Sequence, residues 1–165
     1  MELSEALAEI KNLVLAHPTL FGGVSVELAF GEGRPCIGDW SNPENLGTLV
    51  TGDEIGNKSG LYFFTSLKGE LLYIGKATKN NLHHRVWDHI KTPEVLADGR
   101  RTFPKHSLRG IGETKVYESN VMNGQVRLAV VTISDSDLVS LTEVYLHTAF
   151  QKKHGRLPVF NKQIG

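Results

Sequence analysis

A single glutamate stands among apolar residues in the longest helical pattern of the chain. Val139, Leu146 and Phe150 recur at helical spacing, and Glu143 falls within the stripe that they form. A carboxylate buried without a partner is costly, so we expect it to be neutralised, paired with a base or bound to a cation. Hard cations such as Mg²⁺ favour oxygen ligands and often take only one or two protein carboxylates. Glu143 is therefore a candidate metal ligand, with a structural ion pair as the competing explanation.

Two further pairs of residues carry side chains suited to phosphate chemistry. Arg85 and His89 stand four residues apart, which places them on one face of a helix predicted over residues 80–91. Arginine is a permanently charged, planar donor that matches phosphate oxygens. Tyr62 and Tyr73 lie in two neighbouring β-rich runs. On spacing alone, the two tyrosines are more typical of residues packed in a core. Arg85 and His89 are more typical of a solvent-exposed helix face.

The order of these residues resembles the paired signature of the GIY-YIG nucleases. The matching positions in chain order are Gly60-Leu61-Tyr62, Tyr73-Ile74-Gly75 with Lys76-Ala77, Leu82 and Arg85 with His89, Glu143, and Pro158-Val159-Phe160-Asn161. The resemblance covers residues 60–163, and Leu61 in place of isoleucine is its one visible departure. Motifs of this kind are hypotheses that a structure must place in context.

The resemblance implies an endonuclease that hydrolyses phosphodiester bonds in DNA with one divalent metal ion, Mg²⁺ or Mn²⁺. In such an enzyme, Glu143 holds the metal, and the metal stabilises the charge that develops at phosphate and leaving oxygen. Arg85 binds phosphate oxygens. The residues themselves leave RNA open as a substrate.

The resemblance also gives roles to the remaining matched residues. Tyr62 takes the proton from the attacking water, provided that nearby cations lower its pKa, for which Arg85, Lys76 and the metal are the candidates. Tyr73 orients the water or the phosphate, and His89 assists Tyr62 or relays its proton. Asn161 braces the site by hydrogen bonding. We interpret the other histidines as surface or structural residues: His83, His84, His106, His147 and His154.

The elements that position these residues predict an α/β fold of the α+β kind, with a small central sheet flanked by helices. Strands are predicted over residues 60–66, 71–74 and 128–133, and helices over residues 4–16, 80–91 and about 136–153. The first two strands form a hairpin around Lys68-Gly69. Alternation places Tyr62 and Phe64 on one face, and Tyr73 on the same face as Leu71.

Composition places the chain among ordinary globular proteins. Its 165 residues are 40% hydrophobic and 22% charged, and they suit one domain. The single Cys36 excludes an internal disulfide and a thiolate metal cluster. No apolar run is long enough for a membrane span, and the acidic first residues are unlike a secretory signal. We therefore predict a cytoplasmic protein.

The net charge of zero conceals a division of charge along the chain. Residues 1–59 carry nine acids and three bases, whereas residues 60–165 carry fifteen bases and nine acids. We interpret residues 1–59 as an acidic extension, a helix plus a loop-rich segment, packed on a nuclease domain of residues 60–165. A basic, loop-rich insert near residues 92–126 interrupts that domain. Basic residues predicted to contact the DNA backbone are Arg100, Arg101, Lys105, Arg109, Lys152 and Lys153.

Several functions fit this sequence. As an endonuclease, the chain suits a restriction, repair or mobile-element enzyme, or a toxin. The alternative is a nucleic-acid-binding module of the same fold without catalysis, although binding alone needs no metal-holding glutamate. Residues 1–59 suggest a further hypothesis, that they mask the basic groove or receive an inhibitory or targeting partner. A homodimer is expected only if residues 1–59 pair.

Overall fold

The computed structural model describes residues 1–30, 55–89, 94–99, 101–102, 108, 112–122 and 125–164. Its helices are α1 (Leu3–Ala16), α2 (Pro18–Phe21), α3 (Leu82–His89), α4 (Lys115–Met122) and α5 (Ser136–His154). Its strands are β1 (Val26–Phe30), β2 (Gly60–Ser66), β3 (Leu71–Ala77), β4 (Glu94–Val95), β5 (Arg101–Thr102) and β6 (Val126–Ile133). Within these ranges, no helix has the length and apolar character needed to cross a bilayer.

Four strands form one antiparallel sheet in the order β1-β6-β2-β3. The predicted hairpin of β2 and β3 is confirmed, with Gly69 at a φ of 87° in its turn. The predicted strand over residues 128–133 is also confirmed, and it begins two residues earlier, at Val126. Because β1 pairs with β6, the sheet extends across the predicted domain boundary at residue 59. Residues 1–30 therefore belong to the same fold as the residues that follow the boundary.

A β-bulge in the hairpin corrects one predicted face. Phe64 pairs with Tyr73, but the next residue of β2, Thr65, pairs with Leu71, so Leu72 is the extra residue on β3. Leu72 and Tyr73 both pack on the core that contains Phe64, whereas Leu71 packs on the opposite side. The prediction that Tyr73 and Leu71 share a face is therefore wrong, because strict alternation ends at the bulge.

Helices cover both faces of the sheet, which confirms the predicted mixed architecture of a small sheet flanked by helices. On one face, Tyr62 and Phe64 pack with side chains of α3 and α4, including Leu82 and Val86. On the other face, Phe63 and its neighbours pack with α1 and α5. The apolar residues of β6 are buried in both directions, as expected for a central strand between two layers.

Helix α5 has the ends that the sequence predicts. The Asp135 carboxylate accepts hydrogen bonds from the backbone N–H groups of Asp137 and Leu138 at 2.9 and 3.1 Å. Gly155, with a φ of 69°, ends the helix. Leu141 of this helix is 43% exposed and lies outside its buried face. The buried face of the helix includes Thr142, Glu143, Leu146 and His147.

The predicted insert contains more regular structure than a loop. Strands β4 and β5 pair as a small separate sheet, and α4 follows a short 3₁₀ turn at Gly112–Thr114. Residues 92–126, interpreted from the sequence as loop-rich, thus include these two short strands and one helix among the described residues. Helix α3 begins at Leu82, two residues later than predicted, and the predicted end at residue 91 lies outside the described residues.

Glycine at position 75 permits the close packing of the hairpin around Tyr62. Tyr62 and Gly75 are register partners, and the Tyr62 ring lies across the glycine. A Cβ at position 75 would lie 2.4 Å from Cζ of that ring, which is closer than two carbon atoms can approach. Close packing against the Tyr62 ring therefore requires glycine at this position of the Tyr73-Ile74-Gly75 motif.

Candidate active site

A cleft of about 520 Å³ opens beside β3, one of the two edge strands of the sheet. Its polar lining comes from β3 (Tyr73, Lys76), α3 (Arg85, His89), α5 (Glu143, His147) and the C-terminal segment (Asn161). The two helices belong to opposite layers and both contact β3. The structure therefore brings six of the seven predicted catalytic residues to one place. The seventh, Tyr62, lies beneath the cleft on β2.

The Glu143 carboxylate at the cleft wall is paired with Lys76. Lys76 Nζ lies 2.8 Å from Glu143 Oε2, and the glutamate side chain is only 6% exposed. The two groups form an ion pair. The Lys76 ammonium is not oriented to donate a hydrogen bond of good geometry to Oε2. Charge compensation by a base is thus one of the outcomes that the sequence predicts for this carboxylate.

Tyr73 and His89 form the hydrogen-bonded part of an aromatic cluster. The Tyr73 hydroxyl lies 3.1 Å from His89 Nε2, and the two ring centroids are 4.7 Å apart. The Tyr62 ring packs against both, with centroid distances of 6.0 Å to Tyr73 and 5.9 Å to His89. The direct polar partner of His89 in this cluster is Tyr73, whereas the resemblance gives it the task of assisting Tyr62.

Tyr62 is fully buried, and its surroundings oppose ionisation. Its hydroxyl lies near that of Tyr73 without meeting the geometry of a hydrogen bond. Burial raises the pKa of the Tyr62 phenol strongly, and Tyr73 adds to the rise, while Arg85 lowers it less than burial raises it. Arg85 therefore acts in the predicted direction, but its effect on the Tyr62 pKa is smaller than that of burial. Burial raises the pKa of Tyr73 as well.

Asn161 fixes the C-terminal segment to β3. Its Oδ1 accepts a hydrogen bond from the Ile74 backbone N–H at 2.9 Å, and its Nδ2 donates to the Ile74 carbonyl at 2.8 Å. The Phe160 backbone N–H also donates to the Leu72 carbonyl at 3.1 Å. These bonds satisfy the free edge of β3 between Tyr73 and Gly75, so Asn161 positions the strand that carries the site.

Arg85 lies on the open side of the cleft. Its side chain is 45% exposed, its NH1 lies 3.9 Å from the Asp88 carboxylate, and its Nε donates to the Lys76 carbonyl at 3.5 Å. Both contacts are long, and an exposed ion pair of this kind contributes little to stability. The guanidinium therefore keeps most of its donors for another partner.

His147 is a site residue that the sequence reasoning left among the surface or structural histidines. It lies one helical turn after Glu143, lines the cleft and is only 1% exposed. Neither of its ring nitrogens has a hydrogen-bond partner of good geometry in the described structure. Burial lowers the pKa of its imidazole, which favours the neutral ring. The available signal was its spacing of four residues from Glu143.

The predicted DNA-contacting residues are placed only in part. Arg100, Lys105, Arg109 and the side chain of Arg101 lie outside the described residues. Lys152 and Lys153 are exposed near the end of α5 and do not line the cleft, and Lys153 pairs with Glu5 of α1. The C-terminal segment instead contributes Lys162 to the cleft.

The acidic residues of α1 face away from the cleft. Besides the pair of Glu5 with Lys153, Glu9 accepts a hydrogen bond from the Tyr145 hydroxyl of α5 at 2.8 Å. None of the described residues 1–30 and 55–59 lines the cleft. The hypothesis that residues 1–59 mask the site thus finds no support in these ranges, and residues 31–54 lie outside the description.

The donor set fits one metal ion held by few protein ligands. Glu143 offers an anionic oxygen at the wall of a cleft that is open enough for phosphate and water. Among the described residues, no group of three or more His, Cys, Asp or Glu side chains is arranged to hold a metal. A cation at Glu143 would thus take most of its ligands from substrate and solvent, a common arrangement for Mg²⁺.

Comparison with models of known protein families gave no match for this chain, and searches among curated proteins and solved structures gave none either.

Removal of Lys76 tests the pairing of the buried carboxylate. We expect Lys76→Met to lower the free energy of unfolding by about 1–3 kcal/mol, because the enclosed carboxyl group of Glu143 then lacks a partner. In a Glu143→Gln background, the same change should cost much less. Urea denaturation of the four proteins in EDTA measures this coupling. Equal costs of Lys76→Met in both backgrounds would show that the pair is not coupled.

Proposed function

We propose that this protein is a divalent-metal-dependent endonuclease that hydrolyses phosphodiester bonds in DNA with one metal ion. The observation that supports this proposal most is the meeting of Glu143, Lys76, Arg85, Tyr73 and His89 in one cleft. These residues come from two helices of opposite layers and an edge strand, and each side chain suits a step of phosphodiester hydrolysis. The resemblance of the motifs to GIY-YIG nucleases points to the same reaction.

The charge of the cleft suits a phosphate. Lys76, Arg85 and Lys162 line it, and Glu143 is its one lining carboxylate among the described residues. Arg85 is exposed and only weakly engaged, so its planar guanidinium can bind two phosphate oxygens. Its charge is most useful when negative charge grows on the phosphate in the transition state.

Water activation is assigned to Tyr73 and His89. The Tyr73 hydroxyl lines the cleft and lies within hydrogen-bond distance of His89 Nε2. In this arrangement, Tyr73 accepts a proton from the attacking water while it passes its own proton to the imidazole. The tyrosine therefore never has to exist as a free phenolate, which its burial disfavours. Histidine is the side chain that ordinarily accepts protons near neutral pH.

Tyr62 acts in this scheme as the support beneath the reacting groups. Its ring packs against Tyr73 and His89 and restricts their orientation. A divalent ion held by Glu143 would polarise the phosphate and stabilise the leaving oxygen. Lys76, which neutralises Glu143 at present, is then free to turn towards the phosphate.

Cleavage of supercoiled plasmid DNA in Mg²⁺ tests the proposal. Wild-type protein should nick or linearise the plasmid, and EDTA should abolish this activity. Glu143→Gln should bind DNA in a gel-shift assay but should not cut it, because the amide carries no charge to hold the ion. Asp137→Asn is the matched control, since Asp137 is an exposed acid on the same helix and does not line the cleft.

Two outcomes would contradict the proposal. Metal-dependent cutting by Glu143→Gln at the wild-type rate would remove the metal-binding role of Glu143. DNA binding by the folded wild-type protein, without cutting in Mg²⁺ or Mn²⁺, would favour the non-catalytic binding module instead.

The two tyrosines should differ in their importance for catalysis. We expect Tyr73→Phe to lower the single-turnover cleavage rate by about 100-fold or more, because it removes the proton relay to His89. Tyr62→Phe keeps the supporting ring and should lower the rate by less than about tenfold, as expected for a structural change that leaves the acid–base groups in place. A larger loss from Tyr62→Phe than from Tyr73→Phe would instead assign water activation to Tyr62.

A further inference from the structure

The buried imidazole of His147 has no use in the scheme above. Its side chain lines the cleft, it is 1% exposed, and both ring nitrogens lack a hydrogen-bond partner of good geometry. Buried polar groups in proteins are nearly always hydrogen-bonded, and each exception requires an explanation. A buried ring nitrogen that makes no hydrogen bond also lowers the stability of the fold. A functional role would explain why this nitrogen is left without one.

The neighbouring polar groups are already engaged with one another. The Glu143 carboxylate, the Ile74 backbone and the Asn161 side chain raise the pKa of His147 against the larger effect of burial, and Lys76 lowers it. Asn161 exchanges two hydrogen bonds with Ile74, and Glu143 is paired with Lys76. The His147 ring thus lies near the Glu143 carboxylate, which is paired with Lys76, and near the Asn161 amide, whose hydrogen bonds go to Ile74.

Glutamate and histidine four residues apart form a natural pair of ligands on one helix. Side chains at this spacing lie one above the other, with Cβ atoms about 5–6 Å apart. Both Glu143 and His147 project from α5 into the same cleft. The pair combines one anionic oxygen with one imidazole nitrogen, which is a donor set for transition-metal ions more than for Mg²⁺.

We propose that Glu143 and His147 form a two-residue chelate for a divalent transition-metal ion that binds imidazole, such as Zn²⁺. Phosphate and water complete the coordination, and Lys76 leaves Glu143 when the ion enters. This inference rests on the proposed function for the role of Glu143 as a metal ligand. It deepens that function by defining the class of ion that the site prefers.

Metal titration by calorimetry on untagged protein without DNA tests the chelate. Wild-type protein should bind one Zn²⁺ per chain at this site. His147→Gln should weaken Zn²⁺ binding by at least about tenfold. The same variant should change Mg²⁺ affinity by no more than about threefold, because Mg²⁺ prefers oxygen ligands. His84→Gln, a change at an exposed histidine of α3 outside the cleft, should leave both affinities unchanged.

The outcomes separate this inference from the proposed nuclease function. Unchanged Zn²⁺ affinity in His147→Gln, or an equal loss for both metals, overturns the chelate even if the wild-type protein cuts DNA. A selective loss of Zn²⁺ affinity in His147→Gln, together with a loss of affinity for both metals in Glu143→Gln, supports the chelate even if the protein does not cut DNA.

A second measurement on the wild-type protein covers the case in which His147→Gln fails to fold. X-ray absorption at the zinc edge, with one equivalent of Zn²⁺, should show one imidazole nitrogen at about 2.0–2.1 Å. The imidazole contribution should persist in His84→Gln. A spectrum that contains only oxygen ligands overturns the inference.

Discussion

A carboxylate enclosed at the wall of a cleft has to be compensated by positive charge, and this constraint organises the site. Glu143 satisfies it through Lys76 at 2.8 Å. The ammonium comes from the edge strand and the carboxylate from a helix, so the pair also joins two elements. A lysine is a mobile, strongly hydrated cation, and its side chain here is 30% exposed. It can leave more easily than a buried arginine, which makes the pair suitable for replacement by a metal ion.

Because β3 lies at an edge of the sheet, there is room beside it for a cleft. A central strand of this sheet is covered on both faces and paired on both sides, so it has no room for a substrate. The free side of β3 is met instead by helices of both layers and by the C-terminal segment, which Asn161 binds through the Ile74 backbone. Tyr73 on one side of this bond and Lys76 on the other then share one opening.

The sequence predicts this fold best where the spacing of apolar residues within a short segment determines the secondary structure. The hairpin, the central strand and the capped helix with Glu143 on its buried face all follow from spacing within short segments. The sequence does not predict the bulge at Leu72, because that depends on the register with β2. It also does not predict the bond of Asn161 to Ile74, which joins positions 87 residues apart. The sequence also does not predict that His147 lines the cleft, because the burial of this side chain depends on the orientation of α5 against the sheet.

Anomalous diffraction from crystals soaked in Mn²⁺ would test the proposal that a divalent ion replaces Lys76 beside Glu143. We expect an anomalous peak at ligand distance from a Glu143 carboxylate oxygen, about 2.0–2.6 Å. We also expect Lys76 Nζ to have moved away from its 2.8 Å contact. An intact ion pair without a peak at Glu143, at an Mn²⁺ concentration that supports DNA cleavage, would show that Glu143 does not hold the metal ion.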